Sequence, residues 1–335
     1  MIQVAVMIEG QDGLTWERWQ AVAELVEAAG FVGLYRSDHY TNAQPPDKAS
    51  LELWTSLTWL ADNTERIEFG PLVSPVSFRH PSMTARMAAA VDDLSGGRLT
   101  LGVGAGWQER EHHLFGWDLL PVPERFDRFE EGLEVITRLL QDDEASTYEG
   151  DYFQLQGGVL LPRPQRPGGP PILVGGNGPN RTLPLTARFA DEWNAVLIPL
   201  DEFRKLSLRL DRLLEEQGRR PEEVRRSMMT GCIYGETEQE VEQKVQQRSN
   251  GEKSAAEYRS SGLVVGTPDQ VVEQLGAMAE AGLQRVMLQW LDLDDLEIET
   301  VRLFQHHPDV GTRFGKRSRW IFVDEYQDTN ANQVA

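Results

Sequence analysis

Short apolar runs alternate with longer helix-like segments along almost the whole of this 335-residue chain. Eight of these runs have the length and composition of strands, and they occupy residues 4–8, 31–35, 66–73, 99–103, 172–174, 192–197, 226–234 and 285–290. Repeated strand–helix units imply parallel strands, because each helix carries the chain back to the same edge of the sheet. The pattern predicts an α/β fold, a closed (β/α)8 TIM-like barrel, in preference to an open sheet.

A segment near residues 141–171 breaks this alternation. The stretch TYEGDYFQLQ is typical of a hairpin, and LPRPQRPGGPP after it contains too much proline and glycine for regular structure. We therefore expect an insertion segment in the barrel at this point. In such barrels the loops that follow the strands carry the chemistry, so functional residues are expected at the strand ends.

The charge balance and the cysteine count exclude some classes of protein. The formal net charge of −20 argues against binding to nucleic acid or to an anionic membrane, because both need a basic face. The single cysteine, Cys232, cannot form an internal disulfide, and its apolar surroundings indicate a buried, unreactive thiol. The first residues, MIQVAVMIEG, show no signal peptide and no membrane span. We expect a soluble cytoplasmic protein.

Two predicted strands end in glycine-rich corners. In RLTLGVGAGWQERE the strand ends in Gly102, Gly104 and Gly106, where backbone N–H groups without a neighbouring Cβ can approach a phosphate. The spacing is not that of a dinucleotide-binding fingerprint. The second corner, in ILVGGN, is better suited to a phosphate, because glycines, an arginine and a hydroxyl converge at a helix start: Gly175, Gly176, Asn177, Gly178, Arg181 and Thr182. A plain turn between strand and helix is the alternative.

Titratable side chains follow two other strands. Glu9 ends the first strand, and Asp38 and His39 follow the second. His39 can accept or release a proton near neutral pH, and Asp38 is placed to orient the imidazole or raise its basicity. The alternative is a solvated or structural loop histidine. No metal site is predicted, because adjacent pairs such as His112 and His113 point apart.

The chain resembles the luciferase-like monooxygenase superfamily, and most of all its branch that depends on the deazaflavin coenzyme F420. The similarity runs in order from residue 1 to about residue 305, through the stretches IEGQDGLTWERW, GLYRSDH, FGPLVSPVSFRHP, DLSGGRLTLGVGAGWQEREH, RFDRFEEGLEVI, PILVGGNGPNRTLPLTARFADEWN and GTPDQVVEQL. The resemblance implies a TIM-like barrel with insertions. It also implies a flavin or deazaflavin ring at the carboxyl ends of the strands.

The resemblance assigns roles to particular residues. It places a bulge, often with a non-proline cis peptide, against the ring at Leu72 and Val73, with Ser74 next. The ring and tail would be lined by Gly104, Gly106, Trp107 and Gln108, and the phosphate would be held by residues 175–178 with Arg181 and Thr182. His39 matches the histidine that takes a proton from the substrate hydroxyl in F420-dependent alcohol dehydrogenases, and Asp38 matches its neighbour.

One departure from the family pattern limits what can be carried over. Sugar-phosphate dehydrogenases of the family have a carboxylate where this chain has Trp107, and the nearest replacements are Glu9 and Glu109. Sugar-phosphate oxidation is therefore not expected.

The resemblance predicts an F420-dependent oxidoreductase acting on a small organic substrate, with catalytic residues His39, Asp38 and Glu9. The alternatives are an FMN-dependent monooxygenase that uses oxygen and an inactive flavin-binding relative. Family members are often homodimers.

The last residues have a different character. IFVDEYQDTN resembles motif II of UvrD/Rep-like helicases, in which Asp324 and Glu325 would serve magnesium and the attacking water. The nearest phosphate-loop candidate, which begins at Gly311, has one residue too few between its glycines. We therefore predict an oxidoreductase domain over residues 1–310 and a non-functional tail over residues 311–335.

Overall fold

The computed structural model describes residues 2–290 of the chain, which form twelve strands and ten α-helices. The strands are β1 Gln3–Ile8, β2 Gly33–Arg36, β3 Glu68–Pro71, β4 Ser74–Pro75, β5 Leu101–Gly104, β6 Ser146–Glu149, β7 Gln154–Gly158, β8 Ile172–Gly175, β9 Glu192–Val196, β10 Arg225–Tyr234, β11 Val264–Gly266 and β12 Arg285–Trp290. The helices are α1 Trp16–Ala28, α2 Leu53–Asn63, α3 Pro81–Leu94, α4 Glu109–Phe115, α5 Val122–Gln141, α6 Thr182–Phe189, α7 Leu200–Glu216, α8 Glu238–Ser249, α9 Ala255–Ser260 and α10 Pro268–Glu280.

Parallel pairing closes the strands into a barrel. The order around it is β3-β2-β1-β12-β10-β9-β8-β5-β4, and a bridge between Phe69 and Leu99 joins β3 to the start of β5. β3 and β4 together occupy the third position of the barrel, since the predicted strand over 66–73 ends at Pro71 and resumes at Ser74. With those two counted as one, the positions agree with the predicted (β/α)8 architecture. The predicted TIM-like fold is confirmed.

The predicted insertion is an antiparallel hairpin. β6 pairs with β7, and the turn between them is held by Glu131 of α5. The carboxylate of Glu131 accepts the backbone N–H groups of Asp151, Tyr152 and Phe153 at 2.8 to 2.9 Å. A hairpin alone is marginal in water, so this anchoring to α5 keeps it on the barrel.

Four elements were absent from the sequence-based interpretation: α4, which lies where a polar loop was expected, and α8, α9 and β11. α8, α9 and β11 lie between β10 and α10, and β11 pairs in parallel with the end of β10. β11 is a strand of three residues, which gives too short a run for hydrophobic alternation to reveal.

The core lies between the barrel and its helices, and a polar cluster fills the amino end of the barrel. Arg285 is fully buried there and donates to Glu68 Oε2 at 2.6 Å, to Tyr35 Oη at 2.7 Å and to Glu192 Oε2 at 3.4 Å. Burial raises the pKa of Tyr35, and the nearby Arg285 opposes that rise. This cluster closes the end of the barrel opposite to the strand ends that carry the predicted site.

None of the helices within residues 2–290 is long and apolar enough to cross a membrane. The predicted domain boundary at residue 310 and the helicase-like tail lie outside the described residues.

Candidate active site

Both glycine corners lie at one end of the barrel. β5 and β8 are neighbours in parallel register, with Val103 opposite Val174, so the corners that follow them project from the same edge. Glu9 follows β1 and His39 follows β2 at that edge as well, because β1 and β2 are parallel to the rest of the barrel. The fold therefore brings these sequence-predicted residues to one mouth of the barrel.

His39 is held by a carboxylate from α4. Its Nδ1 lies at hydrogen-bond distance, 2.8 Å, from Glu111 Oε1, and the second carboxylate oxygen of Glu111 accepts Tyr40 N–H at 3.0 Å. The Glu111 side chain is only 1% exposed and that of His39 is 19% exposed. Burial alone would lower the pKa of His39, but the hydrogen bond and charge of Glu111 raise it above 6.5 overall, with smaller contributions from Glu9 and Asp38. Within residues 2–290, Nε2 of this imidazole makes no hydrogen bond.

Gln108 and Trp107 surround the same imidazole. The buried Gln108 amide donates from Nε2 to Thr41 O at 3.0 Å, and its Oε1 accepts the Thr41 hydroxyl at 3.3 Å. Its Nε2 also lies 3.2 Å from His39 Nδ1. The Trp107 ring meets the His39 ring edge-on at 5.4 Å between centroids, and Trp107 is 61% exposed. Trp107 thus offers an open apolar face beside the histidine.

Asp38 does not orient His39, contrary to one sequence-based interpretation. It is buried and accepts Ser74 Oγ at 2.8 Å and Arg79 Nη2 at 3.1 Å, with a second, shorter contact to Arg79 Nη1. Burial raises the pKa of Asp38, and the Arg79 guanidinium opposes that rise. The carboxylate that bonds the imidazole is supplied by Glu111 instead. Asp38 contributes to His39 only through its charge.

Glu9 is part of a hydrogen-bond chain across the mouth. Its Oε1 accepts Gln289 Nε2 at 2.6 Å, and its Oε2 accepts Gln11 Nε2 at 2.9 Å. Gln11 Oε1 in turn accepts the Ser37 hydroxyl at 2.7 Å. Two side-chain amides thus hold the Glu9 carboxylate in the mouth, where its charge acts on His39.

The Leu72–Val73 peptide bond is cis, and the side chain of Val73 fills the space beside the glycines. A Cβ built at Gly104 would lie 2.6 Å from Val73 Cγ2, and one built at Gly175 would lie 3.1 Å from Val73 Cγ1. A Cβ at Gly102 would lie 2.1 Å from Pro71 O. Glycine is required at these three positions because a Cβ would lie too close to Pro71 or Val73. The sequence interpretation had explained the glycines only by the approach of a phosphate.

In the second glycine corner, residues 175–178, some of the predicted phosphate-binding groups already have protein partners and others do not. The Asn177 side chain is taken up by the backbone of Val196, donating to its carbonyl at 2.7 Å and accepting its N–H at 2.9 Å. Arg181 forms an ion pair with Asp127 at 2.5 Å. The backbone N–H groups of Asn177 and Gly178, however, have no hydrogen-bond partner within residues 2–290. They precede α6, whose first residue Thr182 is buried with its hydroxyl next to Gly178, and this arrangement fits a phosphate.

A cavity of about 540 Å³ adjoins Trp107, and Gln108 and Arg110 also line it. Arg110 donates to both carboxylate oxygens of Asp47 at 2.7 Å. Arg79 is shared between Asp38 and Glu52. The cations of this part of the mouth are therefore already neutralised by carboxylates.

No group of three or more metal-ligating side chains is present within residues 2–290. His112, which the sequence shows next to His113, is buried and occupied: its Nδ1 donates to Gln108 O at 2.7 Å and its Nε2 accepts the Ser77 hydroxyl at 2.8 Å. Burial lowers the pKa of His112. This histidine fixes the position of α4 and is not free to act as a base.

Sequence reasoning missed Glu111, Thr41 and Arg79. Glu111 occurs in the quoted stretch GWQEREH, three residues after Gln108, but nothing in the sequence distinguishes it from the exposed Glu109. The difference arises from the helical turn of α4, which directs Glu111 inward.

The chain belongs to the luciferase-like monooxygenase family, whose profile matches residues 2–285. A 4-hydroxyprotoasukamycin monooxygenase from Streptomyces nodosus subsp. asukaensis is 36% identical over 187 residues, which are 56% of this chain and 48% of that protein. An F420-dependent glucose-6-phosphate dehydrogenase from Microbacterium testaceum is 27% identical over 290 residues, or 78% of this chain and 84% of that protein. The matched segment spans about half the length of the first of these relatives.

Solved structures support the fold. An F420-dependent secondary alcohol dehydrogenase in complex with an F420-acetone adduct superposes with a TM-score of 0.78 at 18% identity, covering 91% of this chain and 97% of that one. The named relatives are a monooxygenase and F420-dependent dehydrogenases.

Proposed function

We propose that this protein is an F420-dependent oxidoreductase that transfers a hydride between the deazaflavin and an uncharged small organic alcohol or ketone. The observation that carries the proposal is the His39 imidazole at the barrel mouth, with Nδ1 held by Glu111 at 2.8 Å and Nε2 unbonded within the described residues. An imidazole in this state can take a proton from a substrate hydroxyl.

The residues at the mouth fit a phosphate-tailed ring. Val73 and its neighbours Leu72 and Ser74 would support one face of the ring, and Gly104, Gly106, Trp107 and Gln108 would border it. The N–H groups of Asn177 and Gly178 before α6, together with Thr182, would hold the phosphate. Arg181 would contribute charge after exchanging Asp127 for the ligand. When bound, the deazaflavin supplies C5 as the centre that accepts or gives the hydride.

The protein's own part in the reaction is to place and move one proton. His39 Nε2 would accept the hydroxyl proton during alcohol oxidation and return it during ketone reduction. Glu9 and Glu111 place negative charge around the resulting imidazolium. Trp107 would pack against the substrate and exclude water from the reacting atoms.

The charges at the mouth favour an uncharged substrate. Arg79 and Arg110, the cations described above, are paired with Asp38, Glu52 and Asp47. An anionic substrate would have to displace a carboxylate from one of them. This supports the sequence-based expectation that sugar phosphates are not substrates.

An FMN-dependent monooxygenase is the second candidate, because a relative at 36% identity is named a monooxygenase. Titrating the purified chain with F420 and with FMN, each followed by fluorescence quenching, separates the two. We expect F420 to bind at least tenfold more tightly and to be reduced by a secondary alcohol without oxygen. Tighter FMN binding, with oxygen consumed by the reduced complex, would replace this proposal by the second candidate.

We propose a homodimer in the cytoplasm, a small-molecule substrate and no nucleic-acid or membrane partner. We also propose that the helicase-like tail over residues 311–335 has no ATPase activity, because the quoted motif lacks a matching phosphate loop.

A further inference from the structure

We propose that Glu111 is the positioning residue of the site: it keeps the proton of neutral His39 on Nδ1 and so leaves Nε2 as the proton acceptor. The inference rests on the proposed function and adds a residue that the sequence did not single out. Glu111 comes from α4, and 72 positions separate it from His39 in the chain.

Two groups with opposite demands face Nδ1 of His39. The Glu111 carboxylate, 2.8 Å away, can only accept, so it requires a hydrogen on Nδ1. The Gln108 Nε2, 3.2 Å away, can only donate, so it favours a bare Nδ1. Rotating the Gln108 amide by 180° would break its two hydrogen bonds with Thr41, because Nε2 donates to Thr41 O and Oε1 accepts from the Thr41 hydroxyl. His39 therefore sits between a donor and an acceptor.

Of the two contacts with His39 Nδ1, the one with the Glu111 carboxylate is the stronger. It is the shorter of the two, and a hydrogen bond to a charged acceptor is about twice as strong as one between neutral groups. The Glu111 side chain is 1% exposed, so water does not weaken the interaction much. Removing the charge of Glu111 would reverse the balance. Gln108 would then donate to Nδ1, the proton would move to Nε2, and the acceptor of the reaction would be lost.

The surroundings hold Glu111 in place. Its second oxygen accepts Tyr40 N–H at 3.0 Å, which links α4 to the loop that carries His39. The next residue, His112, is bonded on both ring nitrogens. The other charged groups that act on His39 are Glu9 and Asp38, and Asp38 is bound to Arg79. Neither Glu9 nor Asp38 forms a hydrogen bond with the imidazole, so among the charged groups of residues 2–290 it is Glu111 that favours a hydrogen on Nδ1.

The direct test reads the tautomer by nitrogen-15 NMR on histidine-labelled protein without cofactor. The chain has six histidines, and the resonances missing from His39→Ala identify His39. We expect the neutral form of His39 in the unaltered protein to carry its hydrogen on Nδ1. A neutral His39 with its hydrogen on Nε2 overturns the inference, and this measurement needs no Glu111 variant to fold.

The second test uses Glu111→Gln. We expect the His39 hydrogen to move to Nε2, alcohol oxidation to fall by at least about tenfold, and the acid limb of its pH profile to move to lower pH, because a negative charge is lost beside the imidazole. F420 affinity should stay within about twofold, since Glu111 is not placed against the cofactor. The control is Glu149→Gln, the same chemical change at an exposed position on β6, which should alter none of these readouts.

The outcomes separate this inference from the proposed function. One outcome would overturn the role of Glu111 alone. In it, His39→Ala loses turnover, but Glu111→Gln keeps the tautomer of His39, the turnover and the acid limb of the pH profile unchanged. Unchanged turnover in His39→Ala would overturn the proposed function and this inference with it. A fall in turnover of Glu111→Gln with the Nδ1 hydrogen retained would also overturn the inference, because the loss would then be structural.

Discussion

The side chain of Val73 occupies the space that a Cβ at position 104 would need. Val73 Cγ2 lies 2.6 Å from that Cβ position, a separation that real Cβ atoms do not reach. The glycine at the end of β5 is thus required by its neighbour on the third barrel position. Val73 also borders the predicted ring site. We therefore expect the packing of Val73 against Gly104 to determine the shape of the surface on which the ring would lie.

Gly104→Ala should therefore destabilise the protein. Forcing a methyl group against Val73 in a close-packed region costs about 1–3 kcal/mol, and part of that cost should appear as weaker F420 binding because Val73 has to move. Urea denaturation and F420 titration measure the two effects. The double variant Gly104→Ala with Val73→Ala should regain most of the stability lost to the clash.

Gly276→Ala is the matched control for this prediction. Gly276 lies in α10 and its Cβ would have nothing within 4 Å, so alanine there should be neutral or stabilise by about 0.5–1 kcal/mol. Equal effects of the two substitutions would show that the contact with Val73 is not what requires glycine at position 104.

The sequence predicted the barrel well because its signal is local. Strand–helix alternation, helix caps and proline-rich breaks depend on neighbouring residues, and they located the strands to within a few positions. The antiparallel hairpin β6–β7 was predicted in the same way. What local patterns could not supply was the split of the third strand into β3 and β4, or the three-residue strand β11.

The site was only partly predictable because its contacts join distant parts of the chain. His39 was found from its position after β2, but its partner was expected to be Asp38, the adjacent residue. The structure pairs it with Glu111, because the fold brings α4 over the β2 loop. In the same way, Asn177 is used by the backbone of Val196, which no spacing within ILVGGN could show.

Replacing His39 by alanine should separate binding from turnover. Without the imidazole we expect F420 affinity within about threefold of the unaltered protein and turnover at least about a hundredfold lower, the size expected of a general acid–base group. His80→Asn is the control, because this exposed histidine caps α3 through Ser82 N–H and asparagine can replace that cap. Turnover that survives in His39→Ala would remove His39 from the mechanism.

The raised pKa of His39 also predicts a pH dependence of stability. Burial acts to lower this pKa, but the hydrogen bond and charge of Glu111 outweigh it and raise it above 6.5, so the folded state binds the proton more tightly than the unfolded chain. The resulting stabilisation is complete below the unfolded pKa and is lost as pH rises through the folded pKa.

The difference in unfolding free energy between the unaltered protein and His39→Gln should therefore be larger at about pH 5.5 than at about pH 8.5. Urea denaturation at both values measures it, and pH-dependent terms from other groups cancel in the difference. A larger difference at the higher pH would contradict the direction of the shift.

Arg285 should be a strong determinant of stability without being needed for chemistry. Arg285→Met removes the fully buried cation that donates to Glu68, Tyr35 and Glu192. Because Arg225 Nη1 still donates to Glu192 Oε2 at 3.2 Å, we expect a cost of about 1–3 kcal/mol, that of buried polar groups left without a partner. Arg204→Met breaks the exposed pair with Asp201 and should cost no more than about 1 kcal/mol. Because Arg285 lies at the amino end of the barrel, the folded fraction should keep its turnover. A small loss in denaturation midpoint for Arg285→Met would contradict this account.

The pairing of Arg110 with Asp47 predicts how the enzyme discriminates by charge. Both guanidinium contacts are 2.7 Å long, and Arg110 lines the cavity beside Trp107, so its charge is close to the site but already satisfied. A neutral secondary alcohol should have a kcat/KM at least about tenfold above that of the same molecule bearing a phosphate, because the phosphate loses hydration without gaining an unpaired cation.

Asp47→Asn releases Arg110 and should reduce that discrimination. We expect KM for the phosphorylated alcohol to fall severalfold while KM for the neutral alcohol stays the same, since only the anion gains from a freed guanidinium. Steady-state kinetics with the two substrates at low salt measures the change, and added salt should weaken it. Lys48, the neighbour of Asp47, provides the control: Lys48→Gln removes a cation paired with Asp12 and should leave both KM values unchanged. An equal change in KM for both alcohols would show that Asp47 acts on the shape of the cavity and that charge does not set the substrate preference.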